Sequence, residues 1–148
     1  MTGAGIDGTL ESSLVNDLRE IAGAAEKIGA FCAEHGLTEQ IAFEVNPAVD
    51  ELLTNTISYG YDDGAEHSID LVLRIQGDTL TVEIADDGRA FDPLQTPEPD
   101  LGAPLEERAV GGLGIYLVRK TIDGVAYRRQ DERNVVTLTK NTTPDHPS

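Results

Sequence analysis

Three glycines fall within four residues, Gly111-Gly112-Leu113-Gly114, and an apolar run with helical spacing follows at once. Because glycine has no Cβ, this backbone can turn sharply and approach another molecule closely. Leu113, Leu117 and Lys120 lie along one face of the predicted helix. Such a turn presents unpaired N–H groups and the positive end of the helix dipole, which suits a phosphate. For the motif alone two interpretations stay open, a phosphate-binding turn and an ordinary connection into a helix.

Two helices are predicted in the first half of the chain. Apolar residues recur at helical spacing over 17–35, and Gly36 suits the C-terminal cap of that helix. Thr38 suits the start of a second helix, whose apolar spacing continues through Pro47 to a predicted end at Gly60. A proline inside a helix costs about 3 kcal/mol, so the helix either kinks there or restarts there. The unbroken spacing favours one kinked helix.

Three polar residues and a glycine, on the second helix and after a predicted hairpin, are candidates for chemistry. Glu51 and Asn55 lie four apart on the second helix and therefore share a face. Alternating apolar residues predict a hairpin over 69–84, whose second strand leads into Asp86 and Gly88. A carboxylate at a strand end can accept a hydrogen bond from the amino group of a base while the ring lies over the glycine. The alternatives are two solvated helix residues and an ordinary acidic turn.

The rest of the chain completes a small domain. Residues 10–15 predict a short edge strand, and a strand pair begins at Gly124 with a turn near 131–134. Residues 92–110 are rich in proline and acidic residues, which is typical of a lid or of a disordered segment. With 148 residues, we expect a single domain over 1–148 with its core at about 10–140.

Composition excludes several classes of partner. The formal net charge of −16 argues against nucleic acid, because phosphates would be repelled. No apolar stretch approaches the ~20 residues needed to span a bilayer, and no secretion signal is evident. The single Cys32 cannot form an internal disulfide and fits a reducing compartment. We therefore expect a cytoplasmic protein.

The motifs occur together in a recognisable order. Residues 51–55, 86–88 and 111–114 have the order and spacing of the ATP-binding fold shared by DNA gyrase, sensor histidine kinases and the MutL repair proteins. With the flanking residues 59–61 and 91–93, the chain most resembles the bacterial anti-sigma-factor serine/threonine kinases. These are switch kinases that pair with anti-anti-sigma proteins. The resemblance covers roughly residues 10–140 of this sequence.

The resemblance implies a role for each residue of the first two motifs. Glu51 would be the general base that takes the proton of a substrate hydroxyl. Asn55 would hold Mg²⁺ against the nucleotide phosphates, and Asp86 would accept the adenine amino group. Gly88 would make room for the adenine ring. Thr137, in the final strand, would support Asp86 or the adenine through its hydroxyl.

The resemblance also places a second set of residues at the nucleotide. Gly112 and Gly114 would donate backbone N–H groups to the phosphates as the lid closes. Arg108 matches no arginine of the family; as a basic residue of the predicted lid, it is a candidate to reach the γ-phosphate. Ala90 stands where many relatives have a second glycine, a departure that would stiffen the turn near the adenine. Gly111 and Leu113 complete the phosphate-binding turn.

The expected fold is therefore an α/β (α+β) two-layer sandwich, in which helices cover one face of a mixed, mainly antiparallel sheet, with ATP lying under the lid. The resemblance implies a protein serine/threonine kinase that uses ATP and Mg²⁺. It would phosphorylate a STAS-type anti-anti-sigma protein, sequester a sigma factor and form a homodimer.

The alternative is a nucleotide-binding regulatory module with little or no kinase activity. Glu51 favours the kinase, because a binding module needs no base. A sensor histidine kinase is disfavoured, since the chain leaves no room for a dimerisation helix pair with its phospho-acceptor histidine.

Overall fold

A computed structural model describes residues 8–93 and 118–142. Arg108, the glycine turn at 111–114 and the predicted lid from residue 94 onward lie outside the described residues. The described elements, in chain order, are β1 (Gly8–Val15), α1 (Glu20–Glu34), α2 (Glu39–Tyr59), β2 (Ser68–Gln76), β3 (Thr79–Asp86), β4 (Gly124–Gln130) and β5 (Arg133–Asn141).

The strands form one sheet in the order β1-β2-β3-β5-β4. Each pairing between the described strands is antiparallel. The expected α+β fold with a mainly antiparallel sheet is therefore confirmed, and the sheet as described contains no parallel pair. β1 lies at one edge, as the sequence predicts, and β4 lies at the other.

The core lies between the two helices and one face of the sheet. In β2 and β3 every second residue is buried, which is the pattern of strands with one covered face. Helix residues such as Ile28 and Leu53, both fully buried, pack against that face. The sheet contributes Ile69, Leu71, Leu73, Ile75, Leu80, Val82, Ile84, Val136 and Leu138.

A local signal sets the C-terminal end of α1 as predicted, whereas the helix begins at Glu20, three residues after the predicted start at 17. Gly36 adopts a φ of +73°, the left-handed conformation that favours glycine. Its N–H donates to Ala33 O at 3.2 Å, and the N–H of Leu37 donates to Cys32 O at 2.9 Å. These two bonds form the Schellman motif, which satisfies carbonyls that a helix end leaves unpaired.

The second helix is continuous through its proline. Thr38 caps its N-terminus by accepting a hydrogen bond from Ile41 N at 3.4 Å. Pro47 lies inside the helix, which ends at Tyr59 with Gly60 as its cap. The predictions of one long element and of its end are confirmed. This continuity places Glu51 and Asn55 on a single rigid element.

Candidate functional site

The carboxylate of Asp86 lies at the end of β3, and its two oxygens have different surroundings. Asp86 is directly opposite Asn134 of β5, and each side chain is buried. Asp86 Oδ1 accepts hydrogen bonds from Gly88 N at 2.9 Å and from Asn134 Nδ2 at 3.0 Å. Asp86 Oδ2 accepts none from the described residues. The first oxygen is thus anchored, while the second remains available to a donor.

The loop after Asp86 packs against the end of α2. Arg89 N donates to Gly60 O at 3.0 Å, and Arg89 Nε donates to Tyr59 O at 2.7 Å. From the other side, Arg129 of β4 donates to Gly88 O at 2.8 Å. A Cβ on Gly88 would lie 2.7 Å from Gly60 O, a distance that backbone atoms do not tolerate. The packing of the loop therefore requires glycine at this position, independently of any adenine ring.

A cavity opens beside this loop and reaches the middle of α2. It contains both Asn55 and Asp86, which the sequence places 31 residues apart. The other described residues that line it are Leu52, Thr56, Gly60, Ile84, Arg89, Phe91, Pro93, Asn134 and Val136. The fold therefore brings two of the predicted nucleotide-binding residues to one cavity.

Asn55 has one end of its amide fixed. It is 8% exposed, and its Nδ2 donates to Glu51 Oε2 at 2.9 Å, which confirms that the two side chains share a helix face. Asn55 Oδ1 accepts no hydrogen bond from the described residues. Because the N–H end is held by Glu51, the carbonyl end is free to bind a donor or a cation.

Glu51 lines a second cleft, while its hydrogen-bond partner Asn55 lines the first cavity. The cleft runs along α2, and its lining includes Glu51, the exposed ring of Phe43, Pro47 and Val118. Burial raises the pKa of the Glu51 carboxyl, and the charge of Asp50 raises it further, whereas the hydrogen bond from Asn55 lowers it. A carboxylate with a raised pKa is a stronger base than a solvated one.

Thr137 does not lie where the resemblance places it. In the register of β3 and β5, Thr137 is opposite Glu83, and Asn134 is opposite Asp86. Because successive side chains of a strand point to opposite faces, Thr137 lies on the face of the sheet away from Asp86. The expectation that Thr137 supports Asp86 is therefore wrong, and Asn134 makes that contact.

Asn134 is the site residue that sequence reasoning missed. The sequence predicts a turn reaching residue 134, but the turn consists of Asp131 and Glu132 alone, and β5 begins at Arg133. A signal was present: Asn134 lies two residues before Val136 and four before Leu138, so all three side chains are on the same, buried face of β5. A polar residue at a core-facing strand position calls for a polar partner.

The remaining predicted site residues are less informative. Ala90 is exposed in the loop after β3. Arg108, Gly111, Gly112, Leu113 and Gly114 lie outside the described residues, so the phosphate-binding turn stays a prediction. In the described ranges no three metal-ligating carboxylate, histidine or cysteine side chains come together. None of the helices described here is long and apolar enough to cross a membrane.

Comparison with protein families gives one match that spans most of the chain. The profile of the histidine kinase-like ATPase domain family matches residues 14–140. This range contains β2, β3 and α2 in full, together with Glu51, Asn55 and Asp86.

Individual relatives are similar over much of their length. The serine/threonine-protein kinase BtrW of Bordetella bronchiseptica is 33% identical over 106 residues, which cover 72% of this chain and 75% of that protein. An anti-sigma F factor of Clostridium botulinum is 29% identical over 113 residues, covering 72% and 74%. The serine-protein kinase RsbW of Oceanobacillus iheyensis is 28% identical over 100 residues, covering 64% and 63%.

Among solved structures, the fold is similar to that in the crystal structure of the RsbU and RsbW domains of a Mycobacterium tuberculosis protein. The TM-score is 0.67 at 14% sequence identity, and the match covers 90% of this chain and 32% of that longer chain. At this sequence identity, the comparison shows similarity of fold alone.

Proposed function

Because the chain belongs to the histidine kinase-like ATPase domain family, and within it to the bacterial anti-sigma-factor serine/threonine kinases, we propose that it phosphorylates an anti-anti-sigma protein with ATP and sequesters a sigma factor. One observation carries the proposal beyond nucleotide binding. Glu51, a carboxylate with a raised pKa, is hydrogen-bonded at 2.9 Å to Asn55, which lines the same cavity as Asp86.

The base of the nucleotide would bind at Asp86. Asp86 Oδ1 is anchored by Gly88 and Asn134, so Oδ2 is the oxygen that would accept the 6-amino group of adenine. A hydrogen bond to a charged, buried acceptor contributes more than one between neutral groups. This geometry supports ATP as the substrate.

The phosphates would lie toward Asn55. The oxygen donor set fits Mg²⁺, which binds proteins through one or two side chains and takes the rest of its ligands from phosphates and water. Asn55 Oδ1 would be the protein ligand, because its amide nitrogen is already bonded to Glu51. When bound, Mg²⁺ supplies charge neutralisation at the phosphates. Backbone N–H groups of 111–114 and the guanidinium of Arg108 would complete the phosphate site.

Glu51 would act on the attacking hydroxyl. The serine or threonine oxygen of the substrate attacks the γ-phosphorus, its proton passes to Glu51 and ADP leaves. Phosphoryl transfer depends mainly on positioning and on charge neutralisation, so one base on a rigid helix is sufficient. The cleft that contains Glu51 and Phe43 is distinct from the cavity of Asp86, so the hydroxyl can approach from a side that the nucleotide does not occupy.

The proposal also includes a homodimer in the cytoplasm, with the sigma factor as second partner. The alternative is a regulatory module that binds nucleotide and transfers little phosphate. The basicity of Glu51 and its bond to Asn55 favour the kinase, because nucleotide binding alone requires neither.

The decisive experiment is transfer of labelled phosphate from ATP to an anti-anti-sigma protein from the same genome. Glu51→Gln keeps an acceptor for Asn55 Nδ2 and removes the base. Transfer should fall by roughly 10²–10⁴-fold, with ATP affinity close to wild type. Glu39→Gln makes the same chemical change at the exposed start of α2 and should have no effect.

Two results would contradict the proposal. Equal transfer by wild type and Glu51→Gln would refute the assignment of the base. ATP binding without transfer to any such protein would favour the regulatory module.

A further inference from the structure

We infer that Asn134 is a positioning residue which, held by Tyr127, fixes Asp86 so that the site prefers a purine with a 6-amino group. The inference rests on the proposed ATP site at Asp86. It assigns the preference for the base to a hydrogen-bonded chain that begins on the edge strand β4.

The amide of Asn134 is used completely. Its Oδ1 accepts from the Tyr127 hydroxyl at 2.7 Å and from Phe91 N at 3.2 Å. Its Nδ2 donates to Asp86 Oδ1 at 3.0 Å and to Arg89 O at 2.8 Å. An amide group offers two N–H donors and one oxygen with two lone pairs, so all four positions are filled.

These partners also determine which way the amide points. In the opposite orientation, its NH₂ group would face the Tyr127 hydroxyl and the N–H of Phe91, while its oxygen would face Asp86 Oδ1 and Arg89 O. The Tyr127 hydroxyl could rotate and accept, but the NH₂ group would still face the N–H donor of Phe91, and the amide oxygen would face two acceptors. Only one orientation satisfies the network, and in it Asn134 donates to Asp86.

A fixed donor on one side fixes the carboxylate. Asp86 Oδ1 accepts from both Asn134 Nδ2 and Gly88 N, which leaves Oδ2 as the acceptor toward the cavity. Asp86 and Asn134 are each 4% exposed, and hydrogen bonds are stronger in such a setting than in water. An oriented acceptor favours an amino group and rejects a carbonyl oxygen, since two acceptors would then face each other.

Tyr127 extends the network across two strands. In the register of β4 and β5 it is opposite Val136, so its hydroxyl reaches diagonally to Asn134. Arg129 of the same strand is opposite Asn134 and donates to Gly88 O at 2.8 Å. Side chains of the edge strand β4 therefore form hydrogen bonds to Asn134 and to Gly88, the two residues that donate to Asp86 Oδ1.

The test measures the affinities of two nucleotides, which differ in the base, for wild type and for each variant. Calorimetry with Mg²⁺ compares ATP with purine riboside 5′-triphosphate, which lacks the 6-amino group. Wild type should prefer ATP by roughly ten- to a hundred-fold. In Asn134→Ala the carboxylate loses its fixed donor, so the preference should shrink to a few-fold, and Tyr127→Phe should give an intermediate ratio. Thr137→Val, on the other face of the sheet, should keep the wild-type ratio.

The ratio distinguishes positioning from a merely structural role, because loss of structure weakens both nucleotides together and leaves their ratio unchanged. If Asn134→Ala and Tyr127→Phe keep the wild-type preference for ATP, the inference about Asn134 is overturned, while the assignment of Asp86 stands. Equal binding of the two nucleotides by wild type would overturn the assignment of Asp86 as well. Should Asn134→Ala fail to fold, Tyr127→Phe, which removes one hydroxyl, carries the test.

Discussion

Replacing Asp86 by asparagine is a perturbation whose consequences the structure defines atom by atom. The amide oxygen can take the place of Oδ1 and keep the bonds from Gly88 N and Asn134 Nδ2. The NH₂ group then takes the place of Oδ2, the oxygen left available in the cavity. The variant should therefore fold, while the site changes from an acceptor to a donor.

The magnitude follows from the bond that is lost. A hydrogen bond to a charged group contributes about 1.5–3 kcal/mol, which corresponds to roughly ten- to a hundred-fold in affinity. Asp86 is 4% exposed, so water does not readily replace the missing partner. In the proposed binding mode the new NH₂ group would also face the adenine amino group, donor against donor. We expect a loss near the upper end of this range.

The assay is calorimetry with Mg²⁺ and ATP, accompanied by thermal unfolding of the same samples. Asp87→Asn is a matched control, because Asp87 is adjacent and bonds Tyr61 and His67 outside the cavity. The control should bind ATP like wild type. Unchanged ATP affinity in a folded Asp86→Asn protein, or an equal loss in the control, would refute the reasoning.

Two further predictions concern stability. Asp63 and Asp87 raise the pKa of His67 above its ordinary value of 6.5, so the stabilisation is complete below pH 6.5 and is lost as pH rises through the folded-state pKa. Thermal unfolding of wild type should show this loss as the pH rises above 6.5, and His67→Gln should remove it; the same slope in both proteins would contradict the pairing. Gly88→Ala should lower stability by about 1–3 kcal/mol in denaturant unfolding, because its Cβ meets backbone oxygen. Gly29→Ala, a helix position with open space, should instead be neutral or stabilising, and an equal loss in both variants would argue against the close approach.

Much of the fold could be predicted because its signals are local. The alternation in β2 and β3, the cap at Thr38 and the left-handed Gly36 each depend on a few neighbouring residues. Pro47 argued against a continuous α2, but the apolar spacing on both sides of it predicted one helix, as the structure has it. These features predict the helix that carries Glu51 and Asn55, and hence their shared face.

The partner of Asp86 was missed, because the alternation along β5 shows which residues face the core but not which of them is opposite Asp86; that depends on the register between β3 and β5. The turn of the β4–β5 hairpin has two residues, Asp131 and Glu132, with φ values of 52° and 63°. Two-residue turns of this kind usually have asparagine, aspartate or glycine first and glycine second, so Asp131 fits the pattern whereas Glu132 does not. A turn assumed to reach residue 134 removes Asn134 from the strand. The role then falls to Thr137, on the wrong face.

The same helix fixes both ends of the site. Asn55 lines the cavity and bonds Glu51 one turn earlier, and the last carbonyl of the helix, Tyr59 O, accepts a hydrogen bond from Arg89 in the loop that follows Asp86. At 1.5 Å per residue, Glu51 and Tyr59 are about 12 Å apart along the axis. A nucleotide bound between them would have its base held by the loop at the end of α2 and its phosphates by the middle of α2. The distance from base to phosphate is thus set by a rigid element, and the loop 87–89 can be perturbed without moving Glu51. Substitutions at Gly88 should therefore change nucleotide affinity more than the rate of transfer from bound ATP.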